Sequence, residues 1–220
     1  MSVTERTRVS AYGQHRVATP VDRFGVWLSG VAVRRHAAGF RGRRLADLGC
    51  GFNATFARTV LDEVTSATLA DVALADDLKT HHKVTGLEGS LPDLTPSMPS
   101  ASFDVVLCLS VLEHLWQDEA VLADMRRMLA PGGVALINVP SWRGKRLLEL
   151  AAFRLGVSPA EEMDDHKRYY DPADLWPKLV RAGFKPSGIH CRRHKFGMNT
   201  FAACRVDACA AAAVFQPPGP

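Results

Sequence analysis

The stretch Arg43–Arg58, RRLADLGCGFNATFAR, constrains the fold more than any other part of the chain. Its apolar run from Leu45 to Leu48 predicts a short buried strand. The Gly49-Cys50-Gly51 turn ends that strand, and a helix is expected from about Asn53. A strand, a glycine turn and a helix N-terminus, in that order, bring backbone N–H groups against a ligand. Gly49, Gly51 and Ala54 satisfy the G-x-G-x-x-G/A spacing of dinucleotide-binding folds, a pattern that is weak when it stands alone. Asp47 argues against a pyrophosphate there. Its carboxylate, two positions before the first glycine, would meet a like charge at short range, whereas a cationic ligand group would suit it.

Upstream, Val21–Phe40 carries Phe24, Trp27, Leu28, Val31 and Val33 near helical spacing, with Pro20 and Asp22 suited to a start and Gly39 to a stop. This helix is expected to pack on the sheet, with a cover over the ligand crevice as the other option. Arg34, Arg35, His36, Arg41, Arg43 and Arg44 form the densest basic stretch. It reads as a solvated helix end or, more sharply, as a phosphate- or nucleic-acid-binding strip.

Downstream, Ser66–Leu78 supplies a second strand ending at Asp71, about twenty residues after Gly51. That is the separation expected of a carboxylate that accepts from ribose hydroxyls; an ordinary helix N-cap is the alternative. Val84–Leu94 holds the third strand and its turn, and Pro92, Pro96 and Pro99 then exclude a long helix. Phe103–Leu109 is almost wholly apolar, as a central parallel strand buried on both faces should be. An amphipathic helix follows over Asp118–Gly133, with Val121, Leu122, Met125, Met128 and Leu129 on one face and Pro131-Gly132-Gly133 as its stop. Val134–Pro140 is the fifth strand.

The first motif around Asp47, followed in order by FDVV, LEHL, MLAPGG and LINVP, covers Arg43 to Pro140. Over this span the chain resembles the small-molecule branch of the class I S-adenosylmethionine-dependent methyltransferases. Asn53 stands where their first motif often has a third glycine, and Asn tolerates the left-handed region. The resemblance implies an α/β fold, a Rossmann-like doubly wound sheet that is mostly parallel with an antiparallel last strand. It also implies S-adenosyl-L-methionine as cofactor, held by Asp47, Gly49, Cys50, Gly51, Asp71, Val72, Ser90, Leu91, Leu109 and Ser110. In the family an Asp of the third loop meets the adenine. Gly89-Ser90 is the best match here, through the Ser90 side chain or the backbone of Ser90 and Leu91.

Methyl transfer to a hydroxyl needs a base within hydrogen-bond reach. His114 and His166 are the catalytic candidates. The structural alternatives are a helix-start histidine for His114 and bracing of a lid with Tyr169 or Tyr170 for His166. Glu113, His114 and His166 also resemble three ligands of a magnesium site found in some hydroxyl methyltransferases, but Ser110 stands where its first Glu belongs. No metal is therefore expected. Ser110-Val111-Leu112 lacks the Asn/Asp-Pro-Pro-aromatic motif of base-nitrogen methylation, and the chain has no Pro-Cys dipeptide, so a DNA base is not the expected substrate. The acceptor is expected to be a small molecule or glycan, methylated at oxygen. A nicotinamide-dependent oxidoreductase and a non-catalytic binding or scaffold protein remain the other classes.

A length of 220 residues with 47% hydrophobic content is enough for one sizeable domain. The expected organisation is an arm and helix over 1–40, the methyltransferase domain over 41–206 and a flexible tail over 207–220. Residues 141–184 are expected as a helical insertion that roofs the acceptor. Within it, Leu147, Leu148, Leu150 and Phe153 suggest one helix, and Leu175–Val180 a second opened by Asp171-Pro172. Ser187–Phe196 and Thr200–Val206 should pair as a hairpin. Cys50, Cys108, Cys191, Cys204 and Cys209 form no C-x-x-C pair, and reduced thiols in a cytoplasmic protein without a membrane span are the expectation. The net charge of +4 points to no particular partner, and the pattern leaves the oligomeric state open.

Overall fold

A computed structural model describes residues 11–14, 20–146 and 167–208. Its centre is a seven-stranded sheet in the order β3-β2-β1-β4-β5-β7-β6. The strands are β1 (Arg44–Leu48), β2 (Ser66–Asp71), β3 (Val84–Glu88), β4 (Phe103–Leu109), β5 (Leu129–Pro140), β6 (Ile189–His194) and β7 (Asn199–Arg205). The first five pair in parallel. β7 inserts antiparallel between β5 and β6, so it alone is reversed, as expected of the last strand. The order turns back between β1 and β4, and a doubly wound sheet has its ligand crevice at the C-terminal ends of the strands flanking such a point.

β4 is central because it can be buried on both faces: Val105, Val106, Leu107 and Cys108 are all fully buried. Alternate residues serve two cores. Val106 and Cys108 join Leu122, Met125 and Met128 of α5 (Asp118–Met128) on one face. Val105 and Leu107 join Val33, Ala37 and Phe40 on the other. α5 ends at Met128, three residues before the expected Pro131 stop. Leu129 already pairs with Phe103, so Pro131 and Gly132 fall in an irregular stretch of β5 where the register shifts. The helix expected after the glycine turn is a single turn, α2 (Thr55–Arg58), entered through Ala54 at φ 42°. α3 (Asp76–Lys79) and α4 (Leu91–Leu94) are equally short.

α1 (Pro20–Ala37) packs on the sheet, but not through the residues that its apolar pattern suggested. Ser29, Ala32, Val33 and Ala37 are buried, while Phe24, Trp27 and Val31 are exposed. Small residues on the inner face let the helix approach β5 closely, and the large apolar residues remain outside. α6 (Pro172–Arg181) starts with a capping box in which Asp171 and Asp174 exchange backbone bonds. Its Leu175 and Leu179, with Phe184, complete the core on the α5 side. The apolar face of this part of the insertion therefore joins the core. Residues 142–146 are helical, and the remainder of the expected first insertion helix lies outside the described residues, as does the 209–220 part of the tail. No helix among the described residues is long and apolar enough to cross a membrane. Cys50, Cys108, Cys191 and Cys204 are free thiols, and Cys209 is outside the described part.

Three members of the basic stretch are engaged within the chain. Arg34 bonds Glu63 at 3.0 Å and the Thr59 carbonyl at 2.9 Å. Arg44 forms a two-pronged bond to Asp104 at 3.1 and 2.8 Å. His36 stacks on His190, and its carbonyl accepts from Arg205.

Candidate active site

β1 runs straight into the glycine turn at the reversal point. Gly49 has φ 72° and Gly51 φ 76°, conformations that glycine adopts without strain. Gly49 is required for space as well, because a Cβ there would lie 2.3 Å from Cγ2 of Val111. The turn's amides are already engaged. Gly49 and Cys50 donate to the Ala70 carbonyl, Gly51 donates to Oδ2 of Asp71 at 2.8 Å, and Ala54 donates to the Gly51 carbonyl. Phe52 donates to the carbonyl of Tyr12 at 2.9 Å, so the segment 11–14 closes over the turn. A pyrophosphate would find its usual donors occupied and two carboxylates nearby. This observation separates the site from a dinucleotide-binding turn.

Asp47 is 3% exposed. Burial, together with the charge of Asp71, pushes its carboxyl up to about 7. A buried carboxylate in that position is stabilised by an incoming cation, so the two acids fit a ligand with an ammonium at one end and ribose hydroxyls at the other. Asp71 sits at the end of β2, half-buried, with Oδ1 accepting from the Val72 amide at 2.7 Å. The Cys50 thiol is held protonated, first by burial and then by the charges of Asp47 and Asp71. Gly89 donates to the Asp71 carbonyl at 2.9 Å, and this brings Ser90 and the buried Leu91 to the same edge.

Across the crevice, Leu109 ends β4 and Ser110 takes φ 59°, a left-handed value that costs a non-glycine residue of order 1–3 kcal/mol. The Ser110 amide donates to the Asn138 carbonyl at 2.7 Å and holds that bend. Asn138 is fully buried at the end of β5; its Nδ2 reaches Oγ of Ser110 at 3.4 Å, and its Oδ1 has no partner among the described residues. Beyond the bend, Leu112–His114 forms a tight 3-10 turn with the Glu113 side chain buried. The Glu113 carbonyl accepts from the amides of Lys167 and Arg168, and the Pro140 carbonyl accepts from Tyr170, so residues 167–170 are laced across the ends of β4 and β5.

The β6–β7 connection completes this edge. Lys195 (φ 49°) and Phe196 (φ 58°) are successive left-handed residues, held by a 2.6 Å bond from Ser141 Oγ to the Gly197 carbonyl. The 142–146 helical segment lies so close to this connection that a Cβ on Gly144 would be 2.2 Å from the Met198 carbonyl oxygen. Burial lowers the Lys195 ammonium to about 8, against the opposing effect of Glu113.

The structure thus gathers Asp47, Gly49, Cys50, Gly51, Asp71 and Val72 on one side of the crevice, Ser90 and Leu91 beside them, and Leu109 and Ser110 opposite. His114 closes the turn at the rim, and His166 lies outside the described residues. Among the described residues no three His, Cys, Asp or Glu side chains come together as a metal site. Tyr12, Asn138 and Lys195 escaped the sequence reading. Only Asn138 left a signal there, as a polar residue inside the apolar run LINVP.

The sequence model of a family described as "Methyltransferase domain" matches residues 46–137. A probable S-adenosylmethionine-dependent methyltransferase of Mycolicibacterium smegmatis is 29% identical over 160 residues, covering 70% of this chain and 57% of that protein. A ubiquinone biosynthesis O-methyltransferase of Idiomarina loihiensis is 29% identical over 157 residues, covering 65% and 62%. The chain thus spans less than two thirds of the length of these relatives. In fold it is similar to a Haemonchus contortus phospholethanolamine N-methyltransferase solved with S-adenosylhomocysteine. The TM-score is 0.62 at 14% identity, over 83% of this chain and 54% of that one.

Proposed function

We propose that the chain, whose residues 46–137 match the family described as a methyltransferase domain, is a class I methyltransferase that moves a methyl group from S-adenosyl-L-methionine to an oxygen of a small-molecule or glycan-like acceptor. The observation that carries the reading is the buried Asp47 carboxyl beside a glycine turn whose amides are internally engaged. Asp47 would take the ammonium end of the cofactor and Asp71 the ribose hydroxyls, with Ser90 and Leu91 along the adenine. When bound, the cofactor supplies an electrophilic methyl that needs no further activation.

The protein's own contribution is position and proton transfer. His114, at the end of the turn that follows the Ser110 bend, would take the proton of an acceptor hydroxyl. A DNA base is not a fitting acceptor, for want of the motif that grips an exocyclic nitrogen. Calorimetric titration with S-adenosylhomocysteine, beside NAD and NADH, tests the cofactor reading on wild type and Asp47→Ala. Micromolar binding of the first ligand alone, lost in the variant, is expected; binding of the nicotinamides instead would overturn it. With an acceptor in hand, His114→Ala should lower kcat by about 10²–10⁴ and leave homocysteine-ligand affinity unchanged.

A further inference from the structure

An open groove of about 800 Å³ lies between the start of α5 and the laced segment 167–170, beside the C-terminal ends of β4 and β5. Trp116, Trp142 and Tyr169 line it. Trp116 and Trp142 are 48% and 47% exposed, an unusual cost for two indoles of one groove. The Trp142 and Tyr169 rings are 5.5 Å apart.

The groove's acidic residues are already engaged. Asp118 is held by Arg168, by Lys178 at 2.8 Å and by the Tyr170 hydroxyl at 2.8 Å. Glu119 is bonded to Lys178 at 3.0 Å and Arg181 at 2.9 Å, and Asp174 accepts from the Asp171 amide at 2.9 Å. Lys167 is different. Its ammonium lies 5.4 Å from the Trp116 ring centroid and has no carboxylate partner among the described residues. The Arg168 guanidinium lies 5.8 Å from the same ring.

We infer that this groove holds the methyl acceptor, and that the acceptor is a ring-bearing anion, its ring against the aromatic wall and its phosphate or carboxylate at Lys167. The assignment rests on the methyltransferase reading above. An inorganic anion would satisfy the ammonium but leave both indoles in water. A neutral ring would cover the indoles but withdraw water from Lys167 without replacing it. A cationic acceptor would be repelled by Lys167. A ring with an attached anion meets both demands, and an aryl phosphate and a sugar phosphate share that chemistry.

The test is a tryptophan-fluorescence titration of the full chain, saturated with S-adenosylhomocysteine, using phenyl phosphate, glucose 1-phosphate, inorganic phosphate and phenol. At least one ring phosphate should bind tenfold or more tightly than both inorganic phosphate and phenol, and which one does so identifies the ring. Lys167→Ala and Trp116→Leu should each weaken that binding about tenfold, with the homocysteine-ligand affinity of both variants unchanged. Equal affinity for inorganic phosphate and the ring phosphates, or no effect of Lys167→Ala, overturns the inference. Homocysteine-ligand binding without ring-phosphate binding defeats the groove assignment alone. Failure of the wild type to bind the homocysteine ligand removes the methyltransferase reading and the assignment with it.

Discussion

With the cofactor's ammonium at Asp47, as proposed, this carboxyl would couple proton binding to ligand binding. Its carboxyl is raised to about 7 in the folded chain, against 3.8 for an ordinary Asp. The folded form therefore holds a proton that the unfolded chain has lost between these values, and this group's contribution to stability falls as pH rises from about 4 to 7. A cation at Asp47 needs the carboxylate, so binding must expel that proton. Below pH 7 the affinity for S-adenosylhomocysteine should drop by up to about tenfold per pH unit. Calorimetry at pH 6 in buffers of different ionisation enthalpy should register release of close to one proton in wild type and none in Asp47→Asn. A pH-independent affinity with no proton release would place the ammonium elsewhere. Asp47 was legible in sequence because its spacing to the glycines is local. That Gly51 donates to Asp71, rather than to a ligand phosphate, was not, since the two residues meet only when β1 and β2 pair.

Single elements show the same division. β4 and α5 could be read from their apolar patterns because burial on two faces or on one stripe is written directly into residue order. α1 misled, because exposed Phe24 and Trp27 have the spacing of a core face while the true contact runs through Ser29, Ala32 and Val33. α6 depends on a polar anchor with no pattern of its own. Asp118 is 2% exposed; burial disfavours its charge, yet Lys178, Tyr170 and Arg168 hold its carboxyl below the usual range. Removing it would leave Lys178 and Arg168 facing a cavity, and both are partly exposed, so the cost should be below that of a fully buried pair. Asp118→Ala should lose about 2–3 kcal/mol and melt about 5–10 °C lower. Faster hydrogen exchange should be concentrated in α6 and residues 167–170. An unchanged melting temperature would show that α6 docks through its apolar contacts alone.

For the whole molecule, the glycine turn depends on a segment far from it in sequence. Ala11 is buried, the Tyr12 carbonyl takes the Phe52 amide, and Asn53 reaches the Gly13 carbonyl. A net hydrogen bond of this kind contributes about 1 kcal/mol. Deleting residues 1–14 should therefore weaken S-adenosylhomocysteine binding about three- to tenfold and lower the melting temperature by only about 2–4 °C. Unaltered affinity would show that the turn is rigid without the segment. The sequence by itself determined the succession of strands in the first half, the glycine turn, Asp47 and Asp71, and the family resemblance carried by those motifs implied the cofactor. The strands and the turn depend on periodicity and on spacings of about twenty residues or fewer. The tertiary structure alone decided which amides were engaged within the chain, that Asn138 lies near the end of β5 and Lys195 in the β6–β7 connection, and that Trp116, Trp142 and Lys167 line one groove. Those juxtapositions join residues on separate elements, from 20 positions apart for Gly51 and Asp71 to 51 for Trp116 and Lys167, and sheet pairing and helix docking bring them together.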